Sequence, residues 1–201
     1  MHAFRFAAAL LLSLLTAVPA LAQTPPTRVR GTIVSLDGQM LTVKGRRGDE
    51  MKIKLADNYS VAAVVPITLA DIKQGSFIGS AAIKQADGTL KAQEVLVFPE
   101  AMRGAGEGHY PWDLTPNSTM TNATVEAVVD GTSGREMSLT YKGGKQKIAV
   151  PPNTPVVTFE PGDKSMLKAG AKVFIGAQKA ADGSLSAGRV AVGKDGFTPP
   201  M

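Results

Sequence analysis

A chain whose second half restates its first can fold in few ways, and this 201-residue sequence does so. Lys52-Ile53-Lys54-Leu55 recurs as Lys147-Ile148-Ala149-Val150, and Asn58-Tyr59-Ser60-Val61 as Asn153-Thr154-Pro155-Val156. Ala86-Asp87-Gly88-Thr89-Leu90-Lys91-Ala92 recurs as Ala181-Asp182-Gly183-Ser184-Leu185-Ser186-Ala187, Gly75 as Gly170, and Val95 and Val97 as Val190 and Val192, all at an offset of 95. Leu41 to Gly45 aligns with Leu139 to Gly143 at 98, and Ile78-Gly79 with Ile175-Gly176 at 97. Ordered matches with length changes in turns indicate a duplication. Two copies are too few for a solenoid, so two similar domains are expected.

Each copy reads as short strands. Val29, Gly31 and Ile33 alternate with Arg30, Thr32 and Val34; Leu41 and Val43 alternate with Thr42 and Lys44; Ile53 and Leu55 alternate with Lys52 and Lys54. A period of two with one apolar face describes half-buried antiparallel strands. Asp37-Gly38 and Asp87-Gly88 are hairpin signals. Thr68 to Gly75 reads as one or two helical turns, with Thr68 as cap, Asp71 at the positive end and Gly75 as stop. Asp163 to Lys168 before Gly170 plays the same part in the second copy. Three strands, a short helical connector and a closing hairpin predict an all-β fold of two tandem OB-like barrels. The expected boundaries are 27–98 and 123–194, with a connecting segment 99–122, a tail 195–201 and an interface between the barrels.

The N-terminus carries a different signal. Arg5 precedes an apolar run of ~13 residues, Phe6 to Val18, too short for the ~20 residues that span a bilayer. Ala20-Leu21-Ala22 places small residues before Gln23, so residues 1–22 are expected to be a Sec signal peptide cleaved between Ala22 and Gln23. The expected location is the periplasm or the exterior, with no membrane span after cleavage. The sequence has no Cys, which excludes disulfides, thiolate metal sites and cysteine nucleophiles. The net charge is +5. Nucleic acid is disfavoured by export and by sparse stacking aromatics. Asn117-Ser118-Thr119 and Asn122-Ala123-Thr124 match glycosylation acceptors, relevant only in a eukaryotic secretory route.

The combination of Gly31-Thr32-Ile33, Leu41-Thr42-Val43, Val61, Leu69 to Gly75 and Ala86 to Ala92 resembles an exported bacterial domain family of unknown function, here in two copies. The resemblance implies an OB-like β-barrel and no catalytic residues, since its motifs are turns and core positions. Similar two-copy proteins are sometimes labelled as metal-transporter components, which for a chain without spans would imply an accessory role.

Pro99 to Asn122 has little periodicity and holds Glu107-Gly108-His109-Tyr110-Pro111-Trp112-Asp113. His109 and Trp112, the only His and Trp beyond residue 22, lie three apart. Long irregular connections are functional or mere linkers, and flexible linkers lack large aromatics that seek burial. Three readings stand for this segment: a docking element, a ligand site on Tyr110 and Trp112, or a metal site using His109 with Glu107, Asp113 or the thioethers of Met102 or Met120. Imidazole with carboxylate suits Zn, Ni or Cu(II), and thioether favours Cu(I). Arg46, Arg47, Lys52 and Lys54, with Lys44, form a basic hairpin matched by Lys145 and Lys147, with Lys142, in the second copy. These hairpins suit an anionic envelope glycan or lipid, or simply solvate the outer face. Neither a nucleophile elbow nor a two-His zinc motif occurs, and Asp87 and Asp182 are explained by turn chemistry. The expectation is a monomeric, non-enzymatic binding or accessory protein without an obligatory cofactor, acting on an unidentified envelope ligand or protein partner.

Overall fold

The computed structural model describes residues 26–132 and 134–201, so the expected signal peptide and its expected cleavage point lie outside the described residues. The alternating segments form twelve strands. The first half supplies β1 (Thr27–Asp37), β2 (Met40–Gly45), β3 (Glu50–Ile67), β4 (Phe77–Lys84) and β5 (Leu90–Val97). The connecting segment supplies β6 (Gly108–Pro111). The second half supplies β7 (Ser118–Gly131), β8 (Gly134–Tyr141), β9 (Gly144–Val150), β10 (Val156–Pro161), β11 (Lys172–Lys179) and β12 (Leu185–Gly193).

The strand pairing runs across the expected boundaries. Strands β1, β2 and β3 do not close with β4 and β5, which follow them in sequence. They close with β11 and β12 from the other half, in the order β12-β11-β1-β2-β3-β12, a five-strand barrel. The hairpin β4–β5 instead joins β7, β8 and β9 in a second ring, closed by β5–β9. Segments 27–98 and 123–194 have exchanged their hairpins. The exchange is reciprocal: Leu185 pairs with Ile53, and Leu90 pairs with Ile148. Each is the same pair with its partner taken from 95 residues away.

The length of β3 explains the exchange. At about 3.3 Å per residue, its 18 residues run for roughly 60 Å, well past the ring they begin in. Val61 to Val65 are all buried, as a strand covered on both faces requires. The chain reaches Thr68 already beside the other ring. There Thr68 donates its N–H and hydroxyl to Asp71 (both 2.7 Å), closing a single 3-10 turn over Leu69–Asp71. Gly75, at φ +86°, ends the connector by donating to Val125 O at 2.8 Å. In the other half Asp163 caps the turn Lys164–Met166, and Gly170 donates to Ile33 O at 2.9 Å.

Register also shifts two of the alignments read from sequence. Leu41 faces Ile53 as Met137 faces Ile148, so Leu41 corresponds to Met137 rather than Leu139. Ile78 faces Ala123 as Val173 faces Gly31, so Ile78 corresponds to Val173 rather than Ile175. Apolar alternation leaves a two-residue slip invisible, because side chains two apart share a face.

Each ring holds its own core. Val29, Ile33, Leu41, Ile53, Ile175 and Val190 fill the first; Ile78, Leu90, Val95, Val125, Met137 and Ile148 fill the second. Between the rings β10 runs antiparallel to the end of β3, with Val64 opposite Phe159, residues that are themselves 95 apart. A local two-fold relation therefore passes through that pair. Around it lies a third apolar cluster of Val64, Leu96, Val157, Ala191 and Met201. The segment after β12 is partly buried, which brings Met201 into this interface.

Candidate functional site

The inter-ring cluster is not fully packed. It leaves a cavity of about 160 Å³ that is partly open to solvent. Five aromatic rings, those of Phe98, Tyr110, Trp112, Phe159 and Phe174, contribute to its wall. Leu96, Met120, Met201 and Gly79 complete the apolar part, and Glu94 and Asn122 are the polar part.

A β-bulge aims Glu94 into this space. In β5 Ala81 pairs with Glu94 but Ala82 pairs with Ala92, leaving Gln93 as an extra residue. The bulge lets Ala92 and Val95 both point into the ring core, while Glu94 and Leu96 face the other ring. Glu94 is fully buried, and neither carboxyl oxygen has a hydrogen-bond partner. Burial pushes its pKa up to about 8, against the nearby Ala81 N–H and the charge of Arg30, which favour the anion.

Asn122 is held by the connecting segment. Strand β6 pairs with the start of β7, placing Gly108 opposite Asn122 and Tyr110 opposite Met120. Both Asn122 amide hydrogens are used, toward Ala105 O (3.0 Å) and the Tyr110 hydroxyl (3.2 Å). Its Oδ1 is left without a partner. Gly79 is what admits it: a Cβ there would lie 2.6 Å from that oxygen. Burial raises the Tyr110 phenol pKa.

Trp112 reaches across to the first ring. Its ring lies 6.2 Å from Tyr110 and 6.5 Å from Phe174, and Arg28 stacks over it at 3.8 Å. Its Nε1–H is buried without an acceptor. Asp113 anchors the same turn by accepting from Arg30 at 2.8 Å and facing Arg28 at 3.6 Å. Burial works against the Asp113 anion, but the Arg30 bond and the two guanidinium charges outweigh it and hold its pKa below the ordinary range. The connecting segment thus packs against both rings. Among the described residues, the four buried side-chain polar atoms without a partner are the two oxygens of Glu94, Asn122 Oδ1 and Trp112 Nε1, and all belong to residues lining this cavity. Buried polar groups are normally paired, so four orphans around one void mark it as unusual.

The other residues singled out from sequence are dispersed. His109 points away from the cavity, stacked on Tyr141 at 6.4 Å with Nδ1 2.8 Å from Thr121 Oγ1, and burial lowers its pKa. Glu107 accepts from Lys142 N at 2.9 Å, and Asp113 is held by the arginines, so the structure does not bring His109, Glu107 and Asp113 together. Among the described residues no group of three or more His, Asp or Glu could hold a metal ion. Arg46 lines a groove of about 360 Å³ with Arg30, Lys44 and Lys172, while Arg47, Lys52 and Lys54 are exposed. The matching residues of the second half are in ion pairs, Lys145 with Glu126 at 2.9 Å and Lys147 with Glu136 at 3.6 Å. Asp87 and Asp182 accept from the N–H groups of Thr89 and Ser184, both at 2.9 Å, as turn residues do.

Of the residues singled out from the sequence as ligand candidates, Tyr110 and Trp112 line the cavity, whereas Glu94, Asn122 and the phenylalanines were not among them. One signal for Glu94 was present: a lone carboxylate abutting the apolar run Val95 to Phe98. No helix among the described residues is long and apolar enough to cross a membrane. In comparisons with known proteins, the chain matches no family model, no curated protein and no solved structure.

Proposed function

We propose that this is an exported, non-enzymatic binding protein whose ligand occupies the aromatic cavity between the two rings. The observation that carries the reading is the convergence of Glu94, Asn122 and Trp112, each with an orphaned buried polar atom, on one void walled by aromatics. Apolar pockets with a few convergent polar groups are where small ligands bind. Leaving such groups unmade costs stability, about 1–3 kcal/mol each, and a ligand that completes them recovers it. The leader at residues 1–22, the duplication and the OB-like character belong to this proposal. The duplication is supported by the reciprocal pairs Leu185–Ile53 and Leu90–Ile148.

The test is thermal denaturation against a panel of small polar molecules. A ligand that binds only the folded state raises Tm. We expect such a rise for the native protein, and its loss in Leu96→Phe, which fills the cavity. No rise with any panel member, or a rise that survives Leu96→Phe, overturns the reading.

A second reading rests on the basic groove of Arg30, Lys44, Arg46 and Lys172. It would take an anionic envelope glycan or lipid headgroup, and Lys44→Glu would abolish that binding without disturbing the cavity.

A further inference from the structure

Resting on the cavity reading above, we infer that the ligand is a small alkylammonium cation, an amine with N–H donors on a short apolar body. Three of the four orphaned atoms are acceptors when Glu94 is ionised: its two oxygens and Asn122 Oδ1. A primary ammonium carries three N–H donors and no acceptor, so it matches that set. Trp112 Nε1–H, the one orphaned donor, is left for an oxygen at the ligand's other end. Aromatic faces carry negative charge density and attract cations, most strongly when desolvated, and five rings line this site. The volume of about 160 Å³ takes a body near the size of benzene. A single carboxylate beside the soft thioethers of Met120 and Met201 is not a matched donor set for a metal.

The cationic groups around the site oppose a cation, so its recognition rests on Glu94 itself. Among the side chains lining the cavity, the titratable ones are the Glu94 carboxyl from β5 and the Tyr110 phenol from β6, and the Met201 main-chain oxygen accepts from Arg30 Nε at 2.6 Å. The cations nearby stand outside: Arg28 and Arg30 of β1 lie behind Trp112 and are partly neutralised by Asp113, and Arg189 of β12 lies over Phe159. The remaining wall, from β4, β7, β10 and β11, brings Gly79, Met120, Asn122, Phe159 and Phe174, none of them ionisable. Glu94 is held protonated at neutral pH by burial. Binding an ammonium ion beside it would ionise it, so each cation bound below about pH 8 releases the Glu94 proton to solvent.

The experiment uses the intrinsic fluorescence of Trp112, the one Trp in the chain, and titrates n-butylammonium, n-butanol and butyrate. We expect n-butylammonium to bind at least about tenfold more tightly than the neutral or anionic isostere. Glu94→Gln should remove that preference. Calorimetry in buffers of different ionisation enthalpy provides a readout on the native protein that does not depend on the variant folding. It should show about one proton released per n-butylammonium near pH 6 and close to none near pH 9. Equal or tighter binding of n-butanol or butyrate, or no proton release, overturns the amine assignment but leaves the cavity a binding site. If none of the three probes perturbs Trp112, while Leu96→Phe also leaves the panel response of the native protein unchanged, the cavity reading falls with it.

Discussion

The two rings share a strand order, and they differ in how they close and in what they turn toward each other. The first closes through a parallel pairing along one strand, from Leu185↔Ile53 to Gly193↔Val64; the second pairs Leu90↔Ile148 and Lys91↔Ala149 on β9 and then Val95↔Val156 to Val97↔Thr158 on the separate strand β10. The cause is local. Where β3 runs unbroken through Ala56 to Ser60, the matching stretch is Pro151-Pro152-Asn153-Thr154-Pro155, and it splits β9 from β10. Three prolines without N–H donors cannot continue a ladder. At the interface the register equates Glu94 with Arg189, Gly79 with Phe174, Asn122 with Arg30 and Met120 with Arg28. The ring cores carry the same apolar pattern, while the facing positions carry no cation on one side and three arginines and a phenylalanine on the other. A symmetric pair would present two like faces and no distinctive cavity. Differences at a handful of positions near the two-fold relation make the seam asymmetric.

The sharpest way to break the comparison is to test the exchange itself. With no native Cys, the double variant Ile53→Cys/Leu185→Cys should cross-link almost completely on oxidation, and Ile53→Cys/Leu90→Cys should not, as read by a mobility shift under denaturing, non-reducing conditions. The reverse outcome would mean that each half closes on its own hairpin. Next in size is the asymmetry of Glu94 and Arg189. A buried carboxyl with its pKa raised to about 8 favours the fold fully below the unfolded-state value near 4.5, and that contribution is lost as pH rises toward 8. Glu94→Gln should therefore leave stability near pH 4 little changed, yet stabilise by about 3–5 kcal/mol at pH 8 and above. Denaturant melts across pH would reveal it, and parallel curves for the two proteins would show that Glu94 ionises freely. The smallest effect concerns a clamp only one ring has. Arg135 on β8 donates to Leu69 O (2.6 Å) and Ile72 O (3.0 Å), tying the first connector onto the second ring, whereas Gln39 at the matching place bonds to Asp57. Arg135→Gln should lose about 1–2 kcal/mol in urea melts, and Gln39→Ala much less.

The periodicity of Val29 to Ile33, Leu41 to Val43 and Ile53 to Leu55 determined by itself that the chain is all-β, because alternation on a pleated strand is a local property. The caps Thr68 and Asp163 and the turns at Asp87 and Asp182 were legible for the same reason: their bonds reach two or three residues. Tyr110 and Trp112 announced themselves as aromatics in an irregular segment. Only the tertiary structure decided the rest. Whether Leu90 pairs with Ile53 or Ile148 is decided by where β3 delivers the chain, since the repeat makes both partners locally equivalent. The slip of Leu41 against Met137 leaves every side chain on its face and so leaves no mark in the pattern. Glu94 looked like any strand carboxylate until the bulge at Gln93 turned it inward and the connecting segment sealed it beneath Trp112. Burial and a missing hydrogen-bond partner depend on atoms distant in sequence, and those two properties set it apart.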